Sequence, residues 1–233
     1  MRHFANNRLV VTILWAICFA LYFLVGKRLD WDWNVIFKLG PEIVLLAAVL
    51  ISRGSRMACM ALIFSMIGDM AGEVKFIPVQ RELELQIAFF SIAHICYITD
   101  FIRHTDYAVK RTEFPYAAIT GVSISAIYMA WAGYQIFSNI QTWPAVLKVC
   151  LVIYFLMLAT LIVTAAQQKR RAKLIYLAGA MLFMFSDTLI GMRVFVGPVP
   201  HSRILIMSTY FIAQYLLNIP RIRQMRNESG FNK

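Results

Sequence analysis

Long apolar runs recur along the whole chain and restrict the folds open to it. Eight such runs lie near residues 9–26, 34–52, 56–73, 84–102, 115–134, 145–166, 173–193 and 202–219. Each is close to the length of about 20 residues with which a helix crosses a hydrocarbon core of about 30 Å. The connections are short and contain no low-complexity linker. The sequence therefore predicts an all-α, polytopic membrane bundle of about eight transmembrane helices, in a single transmembrane domain over residues 1–233.

Composition and charge agree with a membrane protein. Hydrophobic residues make up 60% of the chain and charged residues 15%, far from the average of soluble proteins. The four cysteines lie in apolar runs without CxxC spacing, as small hydrophobic residues do. The net charge of +11 fits membrane topology and attraction to anionic lipids better than a nucleic-acid surface. Membrane lipids are therefore expected partners, and nucleic acid is not.

The distribution of basic residues predicts the orientation. If the N-terminus is inside, most Lys and Arg collect on the cytoplasmic side, as the positive-inside rule requires. The first apolar run has no cleavage site of the AxA type, so we interpret it as the first membrane helix. We expect a multi-pass protein of the plasma or inner membrane, or of the endoplasmic reticulum in a eukaryote, with both termini cytoplasmic. The cytoplasmic basic residues would include Arg2, Arg8, Arg53, Arg56, Arg103, Lys110, Arg111, Lys169, Arg170, Arg171, Lys173, Arg221, Arg223, Arg226 and Lys233.

Two acidic residues lie inside the apolar runs. Asp69 stands in FSMIGDMAGE (64–73), and Asp187 stands in FMFSDTLIG (183–191). Carboxylates within the membrane are costly and usually face a protein interior or a water-filled cavity. At about 1.5 Å per residue from the preceding basic residue, both lie about 20 Å from the cytoplasmic boundary. Their matched depth makes them the leading candidates for catalysis.

The surroundings of the two acids suggest an internal repeat. Asp69 is followed six residues later by Lys75, and Asp187 is followed at the same distance by Arg193. In the next helices, IAH at 92–94 parallels IAQ at 212–214. Four helices separate the copies, so we predict a parallel repeat of helices 1–4 and 5–8.

Further polar residues lie at comparable depth and predict a buried polar cavity. Lys38 and Glu42 share one face of the second helix at a spacing of four residues, and Asp69 and Glu73 do so on the third. Interhelical hydrogen bonding without catalysis remains open for several of these residues, as do snorkelling for Lys38 and an interfacial position for Glu73. The candidate supporting or substrate-binding residues are Lys38, Glu42, Glu73, His94, Tyr97, Arg193, Tyr210 and Gln214.

Four ordered motifs resemble the YhhN family of membrane proteins, whose animal relatives are lysoplasmalogenases. They are FSMIGD (64–69), FFSIAHICYI (89–98), GAMLFMFSD (179–187) and STYFIAQ (208–214), together with a Lys at the start of the second helix, Lys38. In the family this Lys is commonly followed directly by Pro, whereas here Pro is at position 41. The resemblance implies hydrolysis of the vinyl ether of lysoplasmalogens to a fatty aldehyde and a glycerophospho-alcohol. It also implies that the two motif aspartates form the catalytic pair.

The chemistry of a vinyl ether suits two carboxyl groups without a cofactor. Protonation of the β-carbon gives an oxocarbenium ion, which water captures. Two carboxylates at low dielectric tend to share one proton, so one acid can donate it while the other, ionised, stabilises the cation. The sequence leaves open which aspartate takes which part. Lys38, Arg193 or Lys75 would be placed to hold the phosphate of a lysolipid substrate.

Three other functions are weighed against this one. A catalytic zinc site usually needs three protein ligands, and only one of four histidines, His94, lies within a predicted helix, so a metal is not expected. A proton-coupled transporter or flippase would use similar acids, and paired helix breaks in the two repeats would distinguish it. A scaffold without chemistry would need the acids for folding alone.

Overall fold

The computed structural model describes residues 8–26, 31–73, 78–105, 116–168 and 172–228. These residues form eight α-helices and no strand, so the predicted all-helical fold and the number of helices are confirmed. The helices are α1 (Arg8–Leu24), α2 (Trp31–Ile51), α3 (Arg56–Ala71), α4 (Val79–His104), α5 (Tyr116–Asn139), α6 (Ala145–Ala166), α7 (Lys173–Gly191) and α8 (Ser202–Glu228).

Several helices extend beyond the apolar runs that predict them. α4 begins at Val79 rather than near 84, and α5 ends at Asn139 rather than near 134. Hydropathy marks the part of a helix that suits lipid, whereas polar helix formers such as Glu82 and Glu84 continue the helix beyond it. α3 begins at a conventional cap, where the Ser55 hydroxyl accepts a hydrogen bond from the Met57 amide at 3.2 Å.

The helices are those of a multi-pass membrane protein. Within the described part of the chain, five segments are long and apolar enough to cross a bilayer, and α1 is an apolar helix of 17 residues. The five segments are Asn34–Ile51, Arg81–His104, Tyr116–Asn139, Ala145–Ala166 and Lys173–Val196.

The chain divides into two compact units. The first comprises Met1–Tyr97 and Asn218–Lys233, and the second comprises Ile98–Leu217. In the first unit, α2 packs against both α1 and α3. α3 also approaches α4, because a Cβ on Gly68 would lie 3.1 Å from the ring of Phe90. That the whole chain forms one transmembrane domain stays a prediction.

In the second unit, α5, α6 and α7 pack against one another. α8 joins them, since the Ser186 hydroxyl on α7 donates a hydrogen bond to the Ile206 carbonyl at 3.1 Å. After α7 the backbone continues as a short π-helix, Met192–Val196. It ends at Gly197, whose φ of 153° suits a residue without a Cβ atom.

Candidate functional site

Asp69 on α3 is bound by a lysine from α2. The ammonium of Lys38 lies 3.2 Å from Asp69 Oδ1 and 3.1 Å from Glu73 Oε1. The side chains of Lys38 and Asp69 are 8% and 6% exposed, so this pair is buried, whereas Glu73 is 21% exposed. A buried charge is tolerated when it is paired and hydrogen-bonded, and each charge here has a partner of opposite sign.

The same lysine also completes the end of α3. Lys38 Nζ donates a hydrogen bond to the backbone carbonyl of Asp69 at 3.2 Å. This carbonyl is among the last four of the helix, which lack a partner within a regular helix. An ammonium has three N–H groups, and three oxygen atoms, two from Asp69 and one from Glu73, lie within 3.2 Å of this one.

Two further residues of α2 extend this polar face at a spacing of four residues. Asn34 lies one turn before Lys38, and its amide donates a hydrogen bond to Glu73 Oε2 at 3.4 Å. Glu42 lies one turn after Lys38 and is completely buried. The sequence predicts Lys38 and Glu42 as site residues but not Asn34, although the position of Asn34 on the same helical face could have indicated it.

Asp187 on α7 is bound by a tyrosine from α6. The Tyr154 hydroxyl donates a hydrogen bond to Asp187 Oδ2 at 2.6 Å. Tyr154 is buried and Asp187 is half-buried. A second tyrosine bonds the next residue of α7, since the hydroxyl groups of Tyr128 and Thr188 are 2.7 Å apart. Tyr154 is not predicted from the sequence, because it lies outside the four motifs, two of which contain Tyr97 and Tyr210.

The two acids have similar contacts within their own units. Lys38 precedes Asp69 by 31 residues, and Tyr154 precedes Asp187 by 33. In each unit, the helix that precedes the acid's own helix contributes the contacting side chain. Superposing the second and sixth helices of the predicted repeat would have drawn attention to Tyr154.

The predicted residues of α4 lie in the first unit and are buried. Tyr97 accepts a hydrogen bond from the side-chain amide of Asn218 at 2.8 Å. The guanidinium of Arg221 stacks on the Tyr97 ring, 5.4 Å from its centre. His94, one turn earlier on α4, is completely buried. Tyr97 thus belongs to a polar contact between α4 and the end of α8.

The predicted residues of α8 lie in the second unit. Gln214 is completely buried and donates a hydrogen bond to the Tyr210 hydroxyl at 3.2 Å. The Tyr210 ring meets Phe183 edge to face, with ring centres 5.4 Å apart. Phe183 lies one turn before Asp187, so this contact places Tyr210 beside the acid's helix.

The two predicted outer cations differ from Lys38. Arg193 is exposed on the π-helix that follows α7, and Lys75 lies outside the described residues. Among the residues that the structure describes, no three His, Cys, Asp or Glu side chains are grouped as metal ligands would be.

Comparison with known proteins gives relatives with a consistent name. Human lysoplasmalogenase TMEM86A is 28% identical over 144 residues, which are 58% of this chain and 54% of that protein. Pig lysoplasmalogenase TMEM86B is 44% identical over 41 residues, 18% of each chain. Bovine lysoplasmalogenase TMEM86A is 50% identical over 44 residues, 19% of this chain and 18% of that protein. The chain thus matches about half the length of the human relative and less than a fifth of the others.

A family-level match extends over a longer part of the chain. No solved structure matches it. The profile of the YhhN family, in contrast, matches residues 33–219, from the start of α2 into α8. This range includes both aspartates and all four sequence motifs. Because the match covers well over half of the sequence, the chain belongs to the YhhN family, as its motifs predict.

Proposed function

We propose that this protein is a membrane hydrolase that cleaves the vinyl ether bond of lysoplasmalogen-type lysolipids. The products would be a fatty aldehyde and a glycerophospho-alcohol. Membership of the YhhN family and the names of the human, pig and bovine relatives support this substrate class. The apolar helices support a substrate that reaches the protein from the membrane.

One observation carries the proposal. Each compact unit holds an aspartate on a helix that the sequence predicts to cross the membrane, and a side chain from the preceding helix binds it. Interhelical contacts in membranes can be made by Ser, Thr or Asn without the cost of an ionisable group. Two acids kept in corresponding positions therefore favour a role that needs a proton or a charge.

Acid catalysis of vinyl ether hydrolysis needs both a proton donor and a negative charge. A carboxylic acid transfers its proton to the β-carbon, whose π electrons form the new C–H bond and leave an oxocarbenium ion. A carboxylate stabilises that cation until water adds to the α-carbon and forms a hemiacetal. The hemiacetal collapses to aldehyde and alcohol. Asp69 and Asp187 supply the acid and the carboxylate, as paired carboxyl groups do at glycosidic bonds.

The contacts of Lys38 suggest different roles for the predicted cations Lys38 and Arg193. All three N–H groups of Lys38 have protein acceptors within 3.2 Å, so we assign it as the counter-ion of Asp69 rather than as a phosphate ligand. The exposed Arg193, six residues after Asp187, is the cation that we assign to the substrate phosphate.

Continuous helices favour an enzyme over a transporter. Transport sites in repeated folds often lie where membrane helices are interrupted. Here α3 is α-helical from Arg56 to Ala71, through Asp69, and α7 is α-helical from Lys173 to Gly191, through Asp187.

The test is aldehyde release from a lysoplasmalogen by the purified protein in detergent, with and without chelator. We expect wild type to release aldehyde under both conditions. Asp69→Asn and Asp187→Asn should each lower the rate about 100- to 10,000-fold, the range for loss of a general acid or base. Asp100→Asn is the matched control, because Asp100 is also a buried aspartate on a membrane helix, near His104.

Each variant is first shown to fold, and Asp100→Asn should keep most of the activity. Folded wild-type protein that releases no aldehyde from any lysoplasmalogen would refute the proposal. Proton-coupled transport in liposomes would then be the next assay.

A further inference from the structure

α2 and α3 meet in a regular antiparallel register within the first unit. The side-chain amide of Asn34 donates to Glu73 at 3.4 Å, and the ammonium of Lys38 lies 3.2 Å from Asp69. From the first pair to the second, the chain advances four residues on α2 and goes back four residues on α3. Four residues are close to one turn of an α-helix. The contact between the two helices therefore repeats at each turn.

The next pair in this register is Glu42 of α2 and Ser65 of α3. Glu42 lies four residues after Lys38, and Ser65 lies four residues before Asp69. Both Glu42 and Ser65 are completely buried. The register thus places a carboxyl group and a hydroxyl group at one level, one helical turn of about 5.4 Å from the buried ion pair.

α4 brings a third polar residue to the same level. A Cβ atom on Gly72 would lie 2.8 Å from the side chain of Gln86, and one on Gly68 would lie 3.1 Å from the ring of Phe90. α4 is therefore also antiparallel to α3, with the same steps of four residues. The next step on α4 is His94, which is completely buried. It reaches the level of the buried carboxyl and hydroxyl groups.

The hydroxyl group of Ser65 differs from the other buried hydroxyl groups of the described residues. Those of Ser125, Thr164, Ser186 and Thr188 each donate a hydrogen bond to a backbone carbonyl. Within the described part of the chain, Ser65 Oγ has no hydrogen-bond partner. A buried polar group without a partner costs free energy. A ligand that bonds Ser65 Oγ would remove that cost.

We propose that Glu42, Ser65 and His94 form a binding site for an internal water molecule. The inference concerns the first unit alone and does not depend on the proposed vinyl ether hydrolysis. Ser65 Oγ can donate to the water oxygen, and the water can donate to a carboxyl oxygen of Glu42 and to a ring nitrogen of His94. Buried water molecules make about three hydrogen bonds of this kind. Water suits the site because it is small and both donates and accepts.

The first test compares two variants that each remove one buried hydroxyl from a helix. Ser65→Ala removes a ligand of the water, whereas Ser125→Ala removes a hydroxyl that bonds the Gly121 carbonyl of its own helix. We expect Ser65→Ala to lower the midpoint of thermal unfolding in detergent by about 2–4 °C, as for one lost hydrogen bond in a chain of this size. Ser125→Ala should change the midpoint by less than about 1 °C, because such bonds add little to a helix.

The opposite result has an equally clear reading. If Ser65 Oγ binds no water, alanine removes an unpaired polar group, and the midpoint stays the same or rises. Either outcome would overturn the inference, as would an equal fall in Ser125→Ala.

The direct measurement is a crystallographic or cryo-electron microscopy map of the wild-type protein that resolves ordered water. This map decides the question even if Ser65→Ala does not fold. We expect a density peak within about 2.5–3.2 Å of Ser65 Oγ and of a polar atom of Glu42 or His94. A direct hydrogen bond from Ser65 to either side chain, or no peak beside Ser65 Oγ, would refute the water site. Neither result depends on aldehyde release, so this inference and the proposed function can fail separately.

Discussion

Asp69 lies on the third helix and Asp187 on the seventh, and a cation binds the first acid whereas a phenol binds the second. Lys38 connects Asp69 to Glu73 in a buried ionic group that Asn34 extends. Tyr154 gives Asp187 a short hydrogen bond from a neutral donor. Asp69 is thus part of an ionic network, whereas the Tyr154 contact of Asp187 involves no second charge.

This comparison shows that two aspartates in similar sequence motifs can have partners of different charge. The third and seventh helices supply the same residue type in similar motifs, so their sequences suggest two equivalent acids. The second and sixth helices, in contrast, supply an ammonium and a phenol. The difference between the two sites therefore comes from helices that contain none of the four sequence motifs.

Removing the lysine should have the largest effect on stability. Lys38→Met leaves the carboxylates of Asp69 and Glu73 without their shared cation. We expect it to lower the free energy of unfolding by about 3–5 kcal/mol, as for buried pairs that lose one partner. Thermal unfolding in detergent measures this. Lys38→Met combined with Asp69→Asn and Glu73→Gln should recover much of the loss, and a Lys38→Met protein as stable as wild type would show that the pair is not buried in solution.

Neutralising either acid should lower the stability less than Lys38→Met does, and by a different amount at each site. Asp69→Asn removes a charged partner of Lys38 and should cost about 1.5–3 kcal/mol. Asp187→Asn should cost under about 1 kcal/mol, because the oxygen of its amide can still accept the Tyr154 hydrogen bond. Parallel unfolding curves of the two variants provide the measurement. Equal losses would contradict the difference in charge between the sites.

Breaking an exposed ion pair should have the smallest effect on stability. Its loss serves as a reference for the loss at the buried pair. Arg81 and Glu84 on α4 are 3.5 Å apart, but their side chains are 74% and 34% exposed. We expect Glu84→Gln to change stability by less than about 0.5 kcal/mol after solvent screening. The same unfolding assay, repeated at high salt, tests this. A loss as large as that of Lys38→Met would mean that burial does not separate the two pairs.

The sequence predicts most of the fold because the bilayer imposes a length on every helix. All eight apolar runs correspond to helices, and the main differences are at their ends. α4 starts earlier because Glu82 and Glu84 are polar yet favour helix. The π-helix after Gly191 could not be predicted, because hydropathy does not distinguish it from a continued α-helix.

The candidate site is predicted less completely, and charge explains why. Lys38, Asp69 and Glu73 stand out in apolar runs because each carries a charge, and the structure brings these three together. Asn34 and Tyr154 are uncharged, and nothing in a single apolar helix shows that they meet an acid on another. Tertiary contacts between neutral side chains depend on helix rotation, which the sequence pattern defines only weakly.

The hydrogen bond from Lys38 to the Asp69 carbonyl has a consequence for local motion. Helix ends normally fray at little cost, since few contacts hold their last turn. Here the last turn of α3 cannot open without separating Lys38 from the backbone of the residue whose side chain it also binds. Fraying of α3 and rupture of the ion pair are therefore one event. The position of the Asp69 carboxylate is held as rigidly as the helix end itself.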